Sequence, residues 1–251
     1  MKVWAISDLH LSFGGPDRRD DLSLKRREQT LRVEREWRAV VAPDDLVLLP
    51  GDISMARNHR DVQPDLAWID RLPGRKVFSP GNHDAWFGKV LSIRRFLRRS
   101  QFAVNGDSLR FGDVVVCGSR SYPADDETEP LRKKEDSLLF DLRLALLRAN
   151  TYRDFIRHRA NTLGIPVNVQ LYVLWHHPPF NRYGIPSRAA ETLAEHEVDV
   201  CVYGHLHAIS QWGRSPQGLH DNVRYYCVAA DAVGFRPLRV DNSIEPTMLP
   251  F

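Results

Sequence analysis

An α/β fold is predicted by three features of the chain. Strand-length apolar runs alternate with helical patterns through the first half, which argues for parallel strands joined by crossover helices. Antiparallel hairpins are added in the centre and at the end. Five of the strands stop in Asp, Asn or His, which gives the sheets a polar edge. At 251 residues the chain fits one large domain, residues 1–251, and its 43% hydrophobic content is enough to bury a full core.

The elements follow in order. KVWAIS (2–7) is a strand. SLKRREQTLRVEREWRAVV (23–41) places apolar residues at 31, 33, 37, 40 and 41, the spacing of an amphipathic helix. DDLVLLPGD (44–52) is a strand running into a turn, DVQPDLAWIDRL (61–72) a short helix, and KVFSPGNHD (76–84) strand then loop. Residues 85–99 read as helical, with RRFLRR (94–99) as a solvated helix face. The run 102–120 holds Asn-Gly and Gly-Asp turns between β-rich stretches and reads as a meander. Residues 130–164 form one or two long helices ended by Gly164 and Pro166. Strand 169–177, helix tail 191–199, strand and loop 199–207, and closing strands 223–230 and 237–242 complete the chain. The charged segment 11–27 and the Pro-containing segment 118–130 read as mobile loops, with DDETE (125–129) solvated.

Several classes are excluded or disfavoured. No apolar run reaches the roughly 18 residues of a membrane span, and MKVWAISDLH is too short for a signal peptide's apolar region. A cytoplasmic protein is expected. Cys117, Cys201 and Cys227 are odd in number, lie in strand-like stretches and fit no zinc spacing, so buried free thiols are expected. The net charge of +3 is too mild to argue for nucleic acid by itself. A nuclease would need an arginine groove, drawn from 94–99 or from Arg18, Arg19, Arg26 and Arg27.

The strand ends carry the chemistry. They deliver Asp8 and His10, Asp52, Asn82 with His83 and Asp84, His176 with His177, and His205 with His207. In an open α/β sheet such ends converge on one edge, where ligands bind. Asp8, His10, Asp52, Asn82, His176, His205 and His207 offer oxygen and nitrogen without thiolate, a set suited to Mn, Fe or Zn. Seven side chains are too many for one tetrahedral ion; they fit two ions about 3.5–4 Å apart that share a carboxylate. Taken singly, each motif has a bland reading: Asp-x-His arises by chance, Gly-Asp is mostly a turn, and a lone histidine is mostly core. Five in order, each at a strand end, outweigh that. Glycines before Asp52, Asn82 and His205 are read as permitting sharp turns there.

The series Asp8-Leu9-His10, Gly51-Asp52, Gly81-Asn82-His83-Asp84, His176 and Gly204-His205-Leu206-His207 resembles the calcineurin-like metallophosphoesterase superfamily. It spans about 200 of the 251 residues. LLPGDIS (48–54), WIDRLPGRKV (68–77) and VYGHLH (202–207) also resemble a bacterial branch of predicted phosphohydrolases. The resemblance implies a four-layer α/β/β/α sandwich with mixed sheets and the site at the C-terminal ends of the strands. It implies one ion held by Asp8, His10, Asp52 and His207 and a second by Asp52, Asn82, His176 and His205, Mn being favoured over Fe or Zn. His176 is chosen over His177 on the family's His-x-Pro order. A hydroxide bridging the two ions would attack the phosphoryl group. His83 would protonate the leaving alkoxide, with Asp84 orienting its ring. Arg120 and Tyr122, after strand 114–118, and His59 are candidates for substrate contact. Trp86 and Phe87 read as core more than as pocket wall.

The expected partner is therefore a phosphoester of unassigned identity, with a nucleotide or nucleic acid among the options and no membrane. A phosphodiester is favoured slightly over a monoester, and a nuclease is the third variant. A non-catalytic interaction module on this fold is the reading from another class, and the retention of every ligand argues against it. A mononuclear zinc amidase would leave several ligands without work.

Overall fold

The computed structural model describes residues 1–14, 21–124, 129–212 and 215–241, with side chains described from residue 25 in the first helix and from residue 135 in the fourth. The first half runs β1 (Val3–Ala5), α1 (Asp21–Val40), β2 (Leu46–Pro50), α2 (Gln63–Asp70), β3 (Arg75–Ser79), α3 (Val90–Arg94) and β4 (Gln101–Ala103). It continues through β5 (Asp107–Phe111), β6 (Val114–Gly118), α4 (Glu129–Leu163), β7 (Gln170–Leu174) and α5 (Arg188–Glu195). The last elements are β8 (Val200–Tyr203), α6 (Ile209–Trp212), β9 (Gly218–His220), β10 (Val223–Cys227) and β11 (Leu238–Arg239).

Two mixed sheets result. The first has the order β11-β1-β2-β3-β4, with β1 to β4 parallel and β11 antiparallel at one edge. The second has the order β5-β6-β7-β8-β10-β9, parallel through its middle and antiparallel at both edges. Side chains alternate faces along a strand. In β2, Leu46 and Leu48 therefore face the second sheet, where they meet Val116, Leu174 and Val202 in a shared core. Val47 and Leu49 face the other way and pack with Trp37 of α1 and Leu66 of α2. The outer face of the second sheet packs Val173 and Cys201 against Leu142 and Leu146 of α4 and Leu193 of α5. The layers are helix, sheet, sheet, helix, and strands buried on both faces read as the continuous apolar runs seen in the sequence.

The helices follow their patterns. Val33 and Trp37 bury one face of α1, and the Trp37 indole donates to the Pro73 carbonyl at 2.9 Å. α4 is one helix of 35 residues, with Leu139, Leu142, Leu146, Ala149, Ile156 and Ala160 on its buried stripe. It ends at Gly164, in the left-handed region at φ 64°, where Ile165 N–H reaches back to the Ala160 carbonyl. All three cysteines are free and buried. Among the described residues, no helix is long and apolar enough to cross a membrane.

Four expectations change. Helix 85–99 shrinks to α3, because Ala85 to Gly88 form tight turns that drive Trp86 and Phe87 into the core. RRFLRR is not a helix face: α3 stops at Arg94, which pairs with Asp107 at 2.6 Å, and Phe96 and Leu97 pack inward. The segment 11–27 is not all loop, since α1 begins at Asp21. The last closing strand is only two residues long. Arg18, Arg19, residues 125–128 and Asn242 lie outside the described residues.

One buried acid gives the fold a pH dependence. Asp65 on α2 is fully buried, accepts the Phe13 N–H at 2.7 Å and the Ser54 hydroxyl, and burial pushes its carboxyl up to about 6. A carboxyl raised above its unfolded value binds its proton more tightly when folded, so ionisation works against folding. Stability from this group is present below about pH 4 and is lost as pH rises to 6, by roughly 2–3 kcal/mol. Asn at 65 keeps an acceptor for Phe13 and cannot ionise. The Asp65→Asn protein is expected to gain melting temperature over wild type at pH 8, with the gain vanishing by pH 4. Melting curves across that range check it.

Candidate metal centre and active site

The ends of β1, β2, β3, β7 and β8 meet along one edge, with three strands from the first sheet and two from the second. Their loops are laced by backbone hydrogen bonds: Asp8 N–H to Gly51 O (3.1 Å), His10 N–H to Asp52 O (3.0 Å) and Gly204 N–H to His176 O (2.9 Å). Asp8, His10, Asp52 and His205 sit at φ 57°, 44°, 51° and 71°. Left-handed backbone costs a non-glycine residue about 1 kcal/mol or more, and it persists where the surroundings over-determine it. Here it turns four donor side chains toward one another. Gly51 has φ 93°, and a Cβ there would lie 2.7 Å from the Gly81 backbone. Gly81 and Gly204 are not in the left-handed region; they are needed for close approach, because a Cβ would overlap Asp52 and Asp8 respectively.

Two groups of donors form with Asp52 between them. In the first, His10 Nε2 and His207 Nε2 are 3.2 Å apart, and His207 Nε2 is 3.4 Å from Asp8 Oδ1. In the second, Asn82 Oδ1 is 2.9 Å from His176 Nε2 and 3.1 Å from His205 Nδ1. Asp52 Oδ2 is 3.9 Å from His10 Nε2 and 3.4 Å from His176 Nε2. Asp52 Oδ1 accepts the His83 N–H at 2.8 Å, whereas Oδ2 is buried without a hydrogen bond. A buried anionic oxygen without a donor is rare and calls for a cation. Burial alone would raise the Asp52 carboxyl, but the neighbouring His176 outweighs it and holds the group below the usual carboxylate range. The donor set and the buried oxygen without a hydrogen bond both fit divalent metal ions.

Outer contacts orient these groups. His176 Nδ1 faces the Pro50 carbonyl at 2.9 Å, and His207 Nδ1 lies 3.2 Å from Asp231 Oδ2. Such contacts set which ring nitrogen is presented. Asp231 first, and Asp8 second, push His207 up to about 10. Nothing in the sequence singles out Asp231, which reaches the site only through the fold. His177 holds Ser121 through Nδ1 (2.8 Å) and stacks near His205 (ring centroids 4.3 Å), whereas His176 touches Asn82 and Asp52. His176 thus lies between Asn82 and Asp52, and both histidines form a cluster with His205 that could hold an ion.

Several sequence-based roles need correction. Asp84 does not touch His83. Its oxygens accept N–H groups from Ile53 and Ser54 (both 3.0 Å), Gly81 (2.9 Å) and the Trp86 indole (2.9 Å), so it ties the β2 and β3 loops together. His83 is half exposed, with Nε2 4.0 Å from Asp52 Oδ2 and its ring edge-on to His10. Arg120 donates to the carbonyls of Gly81 (2.8 Å) and Phe87 (3.3 Å) and so braces the Asn82–His83 loop. Tyr122 packs edge-on against Trp175 in the core under α4 and α5. His59 stacks on Phe96 and lines a separate shallow depression with Arg57, Arg60 and Trp86. Tyr122 and His59 did not converge on the cluster because strand ends fix direction and loop residues do not.

A cavity of about 370 Å³ opens beside Asp8, His10, His83 and His207 and extends to α1. A family model described as calcineurin-like phosphoesterase matches residues 1–208. The chain belongs to the calcineurin-like phosphoesterase family. The family implies divalent metal ions and metal-dependent hydrolysis of phosphoesters, and the Asp/His clusters here could hold such ions. The solved structure of a phosphopantetheinyl hydrolase from Mycobacterium tuberculosis superimposes over 100% of this chain and 98% of that one, with a TM-score of 0.52 at 16% identity. It shares the metallophosphoesterase fold. A protein of unknown function from Aquifex aeolicus covers 94% of both chains at a TM-score of 0.42 and 15% identity. The gene 66 protein of Mycobacterium phage L5 is 35% identical over 82 residues, which are 33% of this calcineurin-like chain and 39% of that protein.

Proposed function

We propose that the protein is a two-metal phosphodiesterase whose centre is built on Asp52. The observation that carries this reading is the buried Asp52 Oδ2, which has no hydrogen bond and is set between two donor groups. Asp8, His10 and His207 with Asp52 would hold one ion. Asn82, His176 and His205 with Asp52 would hold the other. When bound, such ions neutralise charge on the phosphoryl oxygens and make water acidic enough to supply a nucleophile near neutral pH. His207 must lose its proton to become a ligand, so metal uptake strengthens as pH rises. His83, half exposed at the cavity wall, would pass a proton to the leaving oxygen. Its position is set by the backbone hydrogen bond to Asp52, with Arg120 bracing the same loop.

The arginine inventory supports a diester over a monoester. A dianionic monoester generally needs an extra cationic clamp. Arg120 is committed to loop carbonyls, and among the described cavity-lining residues Arg26 on α1 is the only arginine or lysine. The mixed oxygen and imidazole donor set suits Mn, Fe or Zn, and Mn is the ion proposed first. Hydrolysis of paired aryl mono- and diester phosphates by metal-stripped protein, with Mn added back, tests the reading. The diester is expected to show the higher kcat/KM; an inert diester beside a reactive monoester would reverse the assignment. The name of the Mycobacterium tuberculosis relative puts a phosphopantetheinyl ester in the same substrate panel.

A further inference from the structure

The cavity is larger than the phosphoryl group requires. From His10, His83 and His207 it runs to Arg26 and Gln29 of α1, over a floor that includes Met55, Trp68 and Phe235. Its lining therefore combines three kinds of surface: donor side chains of the metal centre, the apolar Met55, Trp68 and Phe235, and one guanidinium, Arg26. Trp68 and Val33 along it are almost fully buried, so the apolar part is solid core surface.

The Phe235 side of the cavity is tied down. Phe235 is a bulky residue at φ 65°, directly after Gly234 at φ 63°. An aromatic residue in this region is a true outlier, and strain of this kind collects at functional sites. The strained turn is fixed to α1 by two contacts. Arg32 lies over the Phe235 ring at 5.1 Å, and Arg236 pairs with Glu36 at 3.4 Å. The same turn begins at Asp231, which holds His207. One short segment thus links a donor of the metal centre to the apolar wall and to the helix that carries Arg26.

We infer that this cavity is the binding pocket for the organic part of the substrate, and that it selects a phosphoester with an apolar body and a second anionic group at its far end. The inference rests on the phosphoesterase reading of the adjoining centre. The scissile phosphoryl lies at the histidine end, the apolar body covers Met55, Trp68 and Phe235, and Arg26 receives the distal carboxylate or phosphate. An exposed guanidinium on a helix forms a bidentate, charge-assisted contact with either anion. Gln29, three residues and about one turn further along the same helix, supplies a neutral donor beside it.

Binding of arylphosphonates, which cannot be hydrolysed, separates this inference from the catalytic one. Calorimetry on Mn-loaded protein would compare phenylphosphonate with a short series bearing a carboxylate or a phosphate at increasing distance on the ring substituent. At the matching length the anionic probe is expected to bind about tenfold more tightly or better than phenylphosphonate. That ratio is expected to fall to about one in Arg26→Gln and to return in part in Arg26→Lys. Because each ratio is taken within one protein, a general loss of fold does not imitate the result. Carboxylate and phosphate arms show which anion is preferred. A ratio near one in wild type at every length, its persistence in Arg26→Gln, or no binding of any probe overturns the pocket. Absence of ester turnover with the ratio intact would instead remove the phosphoesterase reading and leave the pocket standing.

Discussion

Asp52→Asn is expected to lose at least about a thousandfold in diester turnover and to bind fewer than two ions per chain. Asparagine keeps the shape and can still accept the His83 N–H. It removes the negative charge from the oxygen that lies between the two donor groups. The expected signature is separate from a folding defect. Without metal, the variant loses the attraction between the Asp52 carboxylate and His176 and is expected to be less stable than apo wild type, so the comparison is made on the metal-induced increment within each protein. With metal, wild type gains stability in proportion to ion binding, and the variant does not. Melting curves with and without Mn should therefore converge for Asp52→Asn and diverge for wild type. A variant with full metal-induced stabilisation and full turnover would show that Asp52 is not shared.

His83→Ala carries the second large effect. A proton donor matters only when the departing oxygen is a poor leaving group. Turnover of an alkyl phosphodiester is expected to fall by about a hundredfold to a thousandfold, whereas a nitrophenyl diester should change several-fold at most. Metal content should be unchanged, since His83 belongs to none of the Asp/His clusters that could hold an ion. Measuring both substrates on one preparation with its metal content separates proton donation from ligation. An equal loss on both, with a lost ion, would make His83 a ligand.

The sequence carried the donor set because strand ends are among the most constrained positions in such a fold. A strand of period two, buried on both faces, fixes where its last residue lies, and parallel neighbours put those ends on one edge. Asp8, His10, Asp52, Asn82, His176, His205 and His207 are legible for that reason. What depends on loop direction was not. Asp84 follows His83 directly, yet its side chain turns inward to four N–H groups. Arg120 leaves its strand near the edge and then bends back to two carbonyls. Asp231 lies 24 positions after His207, and no local pattern marks it as the partner of that ring. The tight turns at 85–88 follow from the demands of Asp84 and of the Trp86 and Phe87 core positions, so helical periodicity overran them. Layer order came from the family resemblance; the apolar runs alone are compatible with several α/β arrangements.

The most direct test of the centre is to titrate Mn into metal-stripped protein while counting bound ions and following aryl diester hydrolysis in the same sample. Two ions per chain, with turnover rising as the second site fills, is the predicted result. One ion at saturation, or hydrolysis that is undiminished in stripped protein, would contradict a centre built on a shared Asp52.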